Sequence, residues 1–322
     1  MPSSYRLVNY LLRPAKVAER KMLCDLFRRL EPFGRIHTYR YIGFGSIYFA
    51  DFLLFHQALG ISDMISIEKD EQNGPRFSFN KPFRCVELKL GHSNSVLPQL
   101  DWEKKSLVWF DCDGKLDGAV LADVAMFCSK AVSGSMLLVS VNVVPEKKPN
   151  AAPQDQDAFR LQTFSEAVGK EKVPLDVTGA NLRPGEFAKV CRRVIHNEIL
   201  KELCDRNGPL EEERRFCYQQ LIHFHYADEA QMLTLGGLFY EKRDRPLLDR
   251  CAFSELPFVR DGEAIAFINA PKLTQKEVRH LNSQLPRLPA DKVTLPGVPD
   301  SDVHDYVSLY RYYPSFTEVL LG

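Results

Sequence analysis

Between residues 38 and 144 short apolar runs alternate with helix-like segments, and most of the runs end in glycine, small polar or acidic residues. The runs at 38–42, 63–67, 85–90, 107–110 and 136–144 are too apolar for strands with one wet face. Apolar strands separated by helices predict a parallel sheet covered on both sides. Two longer runs at 217–226 and 231–240, joined by Ala227-Asp228-Glu229-Ala230, predict an antiparallel hairpin at its end.

Around this core the chain carries further elements. Ala18, Met22, Leu26 and Leu30, with Leu23 and Phe27, predict a helix over 15–30 that starts after Pro14. Helices are expected at 155–168 and 185–206, an insertion of about 150–210. The tail predicts a strand at 264–268 and a helix over 272–284, in which Thr274 and Glu277 form a capping box. A proline-rich stretch follows at 285–299. The expected division is a basic helical segment at 1–34, a core at 35–245 and a small α+β appendage at 246–322 that fits a winged-helix-like module. Tyr306, Tyr310, Tyr312, Tyr313 and Phe316 are expected to dock on the body or to form a homo-oligomer contact.

Composition narrows the function. The 322 residues are 45% hydrophobic and 26% charged, enough to bury a large core. With 42 basic and 42 acidic residues no net field draws the whole molecule to nucleic acid or to a membrane. The most apolar stretch, 136–144, is too short to span a bilayer, and the N-terminus has no signal-peptide pattern. Eight scattered cysteines without ligand spacing predict reduced thiols and a cytoplasmic protein. The first 30 residues hold seven Lys/Arg and two Asp/Glu. The expectation is a solvated helix face, with phosphate binding or closure over a ligand as the alternative.

The candidate site lies at the strand ends, where open parallel sheets bind ligands. Gly43, Gly45 and Ser46 form a tight turn before a helix N-terminus. Glu68 ends the second strand, placed to accept hydrogen bonds from a ribose diol. Ser93 and Asn94 end the third, on the side of an adenine, and Asp111 and Asp113 end the fourth, where a transferred group would sit. A dinucleotide site is disfavoured because Tyr48 occupies the position of the third glycine, which argues against a nicotinamide-dependent oxidoreductase.

Read together, YIGFGS (41–46), ISIEKD (65–70), GHSN (91–94) and WFDCDG (109–114), followed by the late hairpin, resemble the class I S-adenosylmethionine-dependent methyltransferases, in a bacterial O-methyltransferase branch. The resemblance covers about residues 35–240. It implies an α/β Rossmann-like fold, an S-adenosylmethionine cofactor and methyl transfer to oxygen or nitrogen of an unidentified small-molecule, protein or nucleic-acid acceptor. By resemblance Gly43 and Gly45 lie against the methionine part, Glu68 binds the ribose, Ser93 or Asn94 lies near adenine, and Asp111 near the amino group or the acceptor. Tyr41-Ile42 stands where the family often has an acid. No Asn/Asp-Pro-Pro-Tyr/Phe motif is present, which disfavours amino methylation of DNA bases.

Asp111 and Asp113 are the candidates for orienting or deprotonating the acceptor. They would also suit Mg²⁺ together with Asn142, but acids in a turn have simpler uses, and no metal is assigned. His223 and His225 share one face of a strand and are expected to be a hydrogen-bonded structural pair. The competing reading is a non-catalytic nucleotide- or S-adenosylmethionine-binding partner protein on the same fold.

Overall fold

The computed structural model describes residues 13–150, 152–286 and 292–314. Helix α1 (Pro14–Arg28) leads into β1 (Arg40–Gly43), α2 (Ala50–Leu59), β2 (Asp63–Glu68), α3 (Gly74–Asn80), β3 (Val86–Leu90) and the short α4 (Ser93–Val96). Then come β4 (Ser106–Asp111), α5 (Gly118–Lys130), β5 (Ser135–Asn142), α6 (Pro153–Val168) and α7 (Phe187–Asn207). The hairpin β6 (Phe216–Ala227) and β7 (Gln231–Glu241) precedes α8 (Arg245–Arg250), β8 (Ala266–Ile268), α9 (Gln275–Asn282) and α10 (Asp300–Leu309).

One eight-stranded sheet runs β3-β2-β1-β4-β5-β7-β6-β8. The first five strands are mutually parallel, and β7 is antiparallel to both β5 and β6. The expected Rossmann-like α/β core with its antiparallel hairpin is therefore present. Strand alternation builds two cores. Leu107 and Trp109 of β4 and Met136 and Leu138 of β5 face α1 and α2; Val108, Phe110, Leu137 and Val139 face α5 and α7. Residues 150–210 supply α6 and α7, and α7 packs on α5 as part of the second layer.

The tail is divided between two cores. β8 lies parallel to β6 in the main sheet, while Leu281, Val293, Val303 and Tyr306 form a small cluster of their own. The capping box at α9 forms as expected, Thr274 Oγ1 accepting from the Glu277 amide. Tyr312 docks on the body, donating to Asp25 at 2.9 Å and packing edge-on against Phe258. Phe316 lies outside the described residues.

Helix α1 is placed by a distant cap. Arg13, before its first residue, offers no side-chain acceptor. Asp228, in the β6–β7 turn, accepts instead from the amides of Ala15 and Lys16, at 3.0 and 3.1 Å. This fixes the start of α1 over the C-terminal ends of the parallel strands.

Candidate functional site

The glycine turn is built around Glu68. Its Oε1 accepts from the Ser46 amide at 2.7 Å and from Ser66 Oγ at 3.0 Å, and Ser66 Oγ in turn accepts from the Gly45 amide at 3.0 Å. Burial pushes the Glu68 carboxyl up to about 7, with Ser66 and the Ser46 amide pulling the other way. Two non-glycine residues of this turn, Ser46 and Phe49, have left-handed backbone (φ 53° and 45°). Such strain concentrates at functional sites. The glycines, however, do not leave an open cradle. A Cβ on Gly43 would stand 2.6 Å from Tyr41 Oη, and one on Gly45 would stand 2.8 Å from Ser66 Oγ. Their smallness serves the packing of the tight turn itself, the part of the expectation that concerns the backbone.

Ser93 and Asn94 meet over a residue that sequence reading missed. Ser93 Oγ donates to Asp123 Oδ2 and Asn94 Nδ2 to Asp123 Oδ1, and Asn94 also donates to the Ala119 carbonyl at 3.1 Å. Burial raises the Asp123 carboxyl to about 6. The α4 turn is thereby pinned to α5. No local signal marks Asp123, which lies inside an amphipathic helix.

Asp111 ends β4 and is held from the other side. Lys16 Nζ donates to Asp111 Oδ1 at 2.6 Å and to Tyr226 Oη at 3.0 Å, pairs with Glu19 at 2.7 Å, and lies 4.2 Å from the centre of the Trp109 ring. Lys16 is 1% exposed. Burial alone would lower its pKa, but Asp111 and Glu19 outweigh burial and raise it. Arg20, one turn further along, is also buried, and its charge acts on Tyr41 and Asp51. The expected solvated face is thus corrected. Lys16 and Arg20 extend the buried stripe of Leu23, Phe27 and Leu30 toward the N-terminus, and that spacing was the available signal. Tyr5, Asn9 and Tyr10 lie outside the described residues.

Asp113 is exposed beside Asp111, and Lys115 pairs with Glu146. Asn142 Oδ1 accepts from the Val144 amide at 2.8 Å, so it is tied to its own loop. Among the described residues no three His, Cys, Asp or Glu side chains gather as metal ligands. His223 and His225 pack edge to face at 5.0 Å between centroids, and the ring nitrogens of His223 lack hydrogen bonds of normal geometry, unlike the satisfied pair expected. A cavity of about 440 Å³ opens beyond β4 and β5, lined by Gly114, Leu116, Asn142, Phe164 and Phe187. Another, of about 660 Å³, lies along α3 and β3, away from these groups.

The geometry can hold an adenosine-bearing ligand. The Glu68 carboxylate stands at the end of β2, the polar Ser93–Asn94 turn follows the end of β3, and the buried Ser46 Oγ and Arg20 Nε have no hydrogen-bond partner. Sheet order and strand-end groups together define the class I methyltransferase layout. A protein-family model described as "Putative O-methyltransferase" matches residues 8–321, and the chain belongs to that family. No curated protein matches the chain. Among solved structures, an O-methyltransferase from Bacillus cereus in complex with SAH is 12% identical over 73% of this chain and 86% of that one, with a TM-score of 0.39. Cofactor-bound Rv0187 from MTB is 15% identical over 67% and 79%, with a TM-score of 0.37. LepI, in complex with SAM, is 9% identical over 62% of this chain, TM-score 0.35, and the chain spans 43% of its length.

Proposed function

We propose that this protein is an S-adenosylmethionine-dependent O-methyltransferase whose cofactor lies across the ends of β2, β1 and β4. The observation that carries the reading is the convergence of the Gly43–Ser46 turn, Glu68, Ser93–Asn94 and Asp111 at the C-terminal ends of neighbouring parallel strands, in a chain of this family. When bound, S-adenosylmethionine supplies a methyl group on a sulfonium. Glu68 would hold the ribose, Ser93 and Asn94 the adenine side, and Asp111 the amino group of the methionine part. Asp111, fixed by Lys16, and the neighbouring Asp113 would orient the acceptor hydroxyl and take its proton. The acceptor would enter through the cavity beyond β4 and β5. A cytoplasmic location belongs to the same proposal, on eight cysteines that are all free thiols. Among the described residues no helix is long and apolar enough to cross a membrane.

Calorimetric titration with S-adenosylmethionine and S-adenosylhomocysteine tests this. Binding by the wild type, weakened at least tenfold in Glu68→Ala, is expected. A wild type that binds neither compound refutes the reading. Turnover on an acceptor pool that survives Asp111→Ala unchanged removes Asp111 from its role, and cofactor binding without any turnover favours a non-catalytic partner protein.

A further inference from the structure

We infer that Arg20 is the receptor for the cofactor's α-carboxylate, an inference that rests on the reading above. Arg20 is 6% exposed, and its Nε is buried without an acceptor. Among the described residues its guanidinium makes no hydrogen bond or ion pair. A guanidinium carries five donors in a planar fork, and burying it unsatisfied is costly. The other basic residues near the start of α1 are matched: Arg13 by Asp228, and Lys16 by Asp111 and Glu19. Asp51, an acid on which the Arg20 charge acts, makes no ion pair with it and instead accepts from the Tyr41 hydroxyl. Burial also raises the Asp51 carboxyl, against the pull of Arg20.

Position makes this vacancy specific. Tyr41 Oη, at the centre of the group, is the atom that a Cβ on Gly43 would strike. The Arg20 charge acts on that same Tyr41 hydroxyl and on Asp51, on the glycine-turn side of the sheet, where the proposed site would place the amino-acid portion of the cofactor. It lies on the same face of α1 as Lys16, one turn away, and Lys16 holds Asp111. The two side chains offered to a ligand, Arg20 and Asp111, match the two ends of an α-amino-acid zwitterion. A carboxylate would satisfy the fork through two parallel charge-assisted bonds.

The test compares two ligands on the full chain by calorimetry: S-adenosylhomocysteine and its decarboxylated analogue, which keeps the amine. Wild type should prefer S-adenosylhomocysteine by at least about tenfold, the range of a charged hydrogen bond. Arg20→Met should bring the two affinities within about twofold, through loss of S-adenosylhomocysteine binding alone. Its melting temperature without ligand should be no lower than that of the wild type, because the guanidinium it removes is unsatisfied there. Arg20→Lys, which keeps the charge but not the fork, should lie between the two, and decides the matter if Arg20→Met does not fold. A preference that persists in the variants overturns the inference. So does an equal loss of both ligands with a lowered melting temperature, which would make Arg20 a structural partner of Asp51. A wild type that binds neither ligand overturns the cofactor reading, and this inference with it.

Discussion

Two buried polar groups flank the same sheet and end in opposite charge states. On the α1 side Lys16 keeps its proton in full burial, because Asp111 and Glu19 lie against it. On the α7 side His223 and His225 are driven down to about 4. Burial dominates for both, and His225 and the Arg192 guanidinium add to it at His223. Lys16 and His223 are both buried and His225 is half-buried, so depth does not explain why Lys16 is the group that stays charged; the counter-charges do. Burial by itself neutralises a base, while two carboxylates at hydrogen-bond distance keep it charged. The first arrangement is suited to holding a polar ligand and the second to filling a core.

The largest test of this contrast is Lys16→Met. It leaves Asp111 and Glu19 facing each other without their cation, and should cost about 3–5 kcal/mol in urea unfolding. Adding Asp111→Asn should recover part of that loss, since one of the stranded charges is then gone. A loss below about 1 kcal/mol would show that the α1 cluster behaves like a surface pair.

The pH dependence separates the two sides by sign. Between about 6.5 and about 4 only the unfolded chain protonates His223, so stability should fall as pH falls through that window, by on the order of 3 kcal/mol. Glu68 acts in the reverse direction. Between about 4.5 and about 7 the folded chain holds a proton that the unfolded chain has released, so its contribution falls as pH rises, by a similar amount. In denaturation profiles His223→Leu should lose its share of the acid-side slope and keep that of His225, and Glu68→Gln should lose its share of the opposite slope and keep that of Asp123. Above pH 7 Glu68→Gln should be more stable than the wild type while binding S-adenosylhomocysteine more weakly, because a neutral amide needs less solvation than a buried carboxylate.

The smallest effect is expected far from both groups. Thr274→Ala removes the exposed capping box of α9 and should cost about 1 kcal/mol in thermal unfolding, leaving both pH slopes intact.

Much of the strand-end site was legible because its signals are local. A glycine turn, the acid of ISIEKD and the acids of WFDCDG each follow an apolar run, and the run places them at a strand end. Lys16 and Arg20 were not recognised, although they continue the stripe of Leu23 and Phe27, because basic residues on a helix are ordinarily solvated. What makes them buried is remote in the chain. Asp111 lies 95 residues from Lys16, and Asp228, which caps their helix, lies 213 from Ala15. Asp123 escaped for the same reason: its partners, Ser93 and Asn94, reach it only after α4 and α5 have packed. What the reading of Gly43 and Gly45 as a tight turn did not foresee is a packing detail that no spacing encodes: the Tyr41 ring lies against the first and the Phe49 ring and Ser66 hydroxyl against the second.

By itself, the sequence determined the layered α/β core, the late hairpin and the set of polar residues at the strand ends, since two-residue and four-residue periodicities are properties of neighbours along the chain. Only the tertiary structure decided which charges survive burial. It laid α1 across the strand ends, matched Lys16 with two carboxylates, left Arg20 unmatched and kept His223 neutral. Those outcomes depend on the sum of desolvation and counter-charge at one point in space, contributed by residues far apart in the chain.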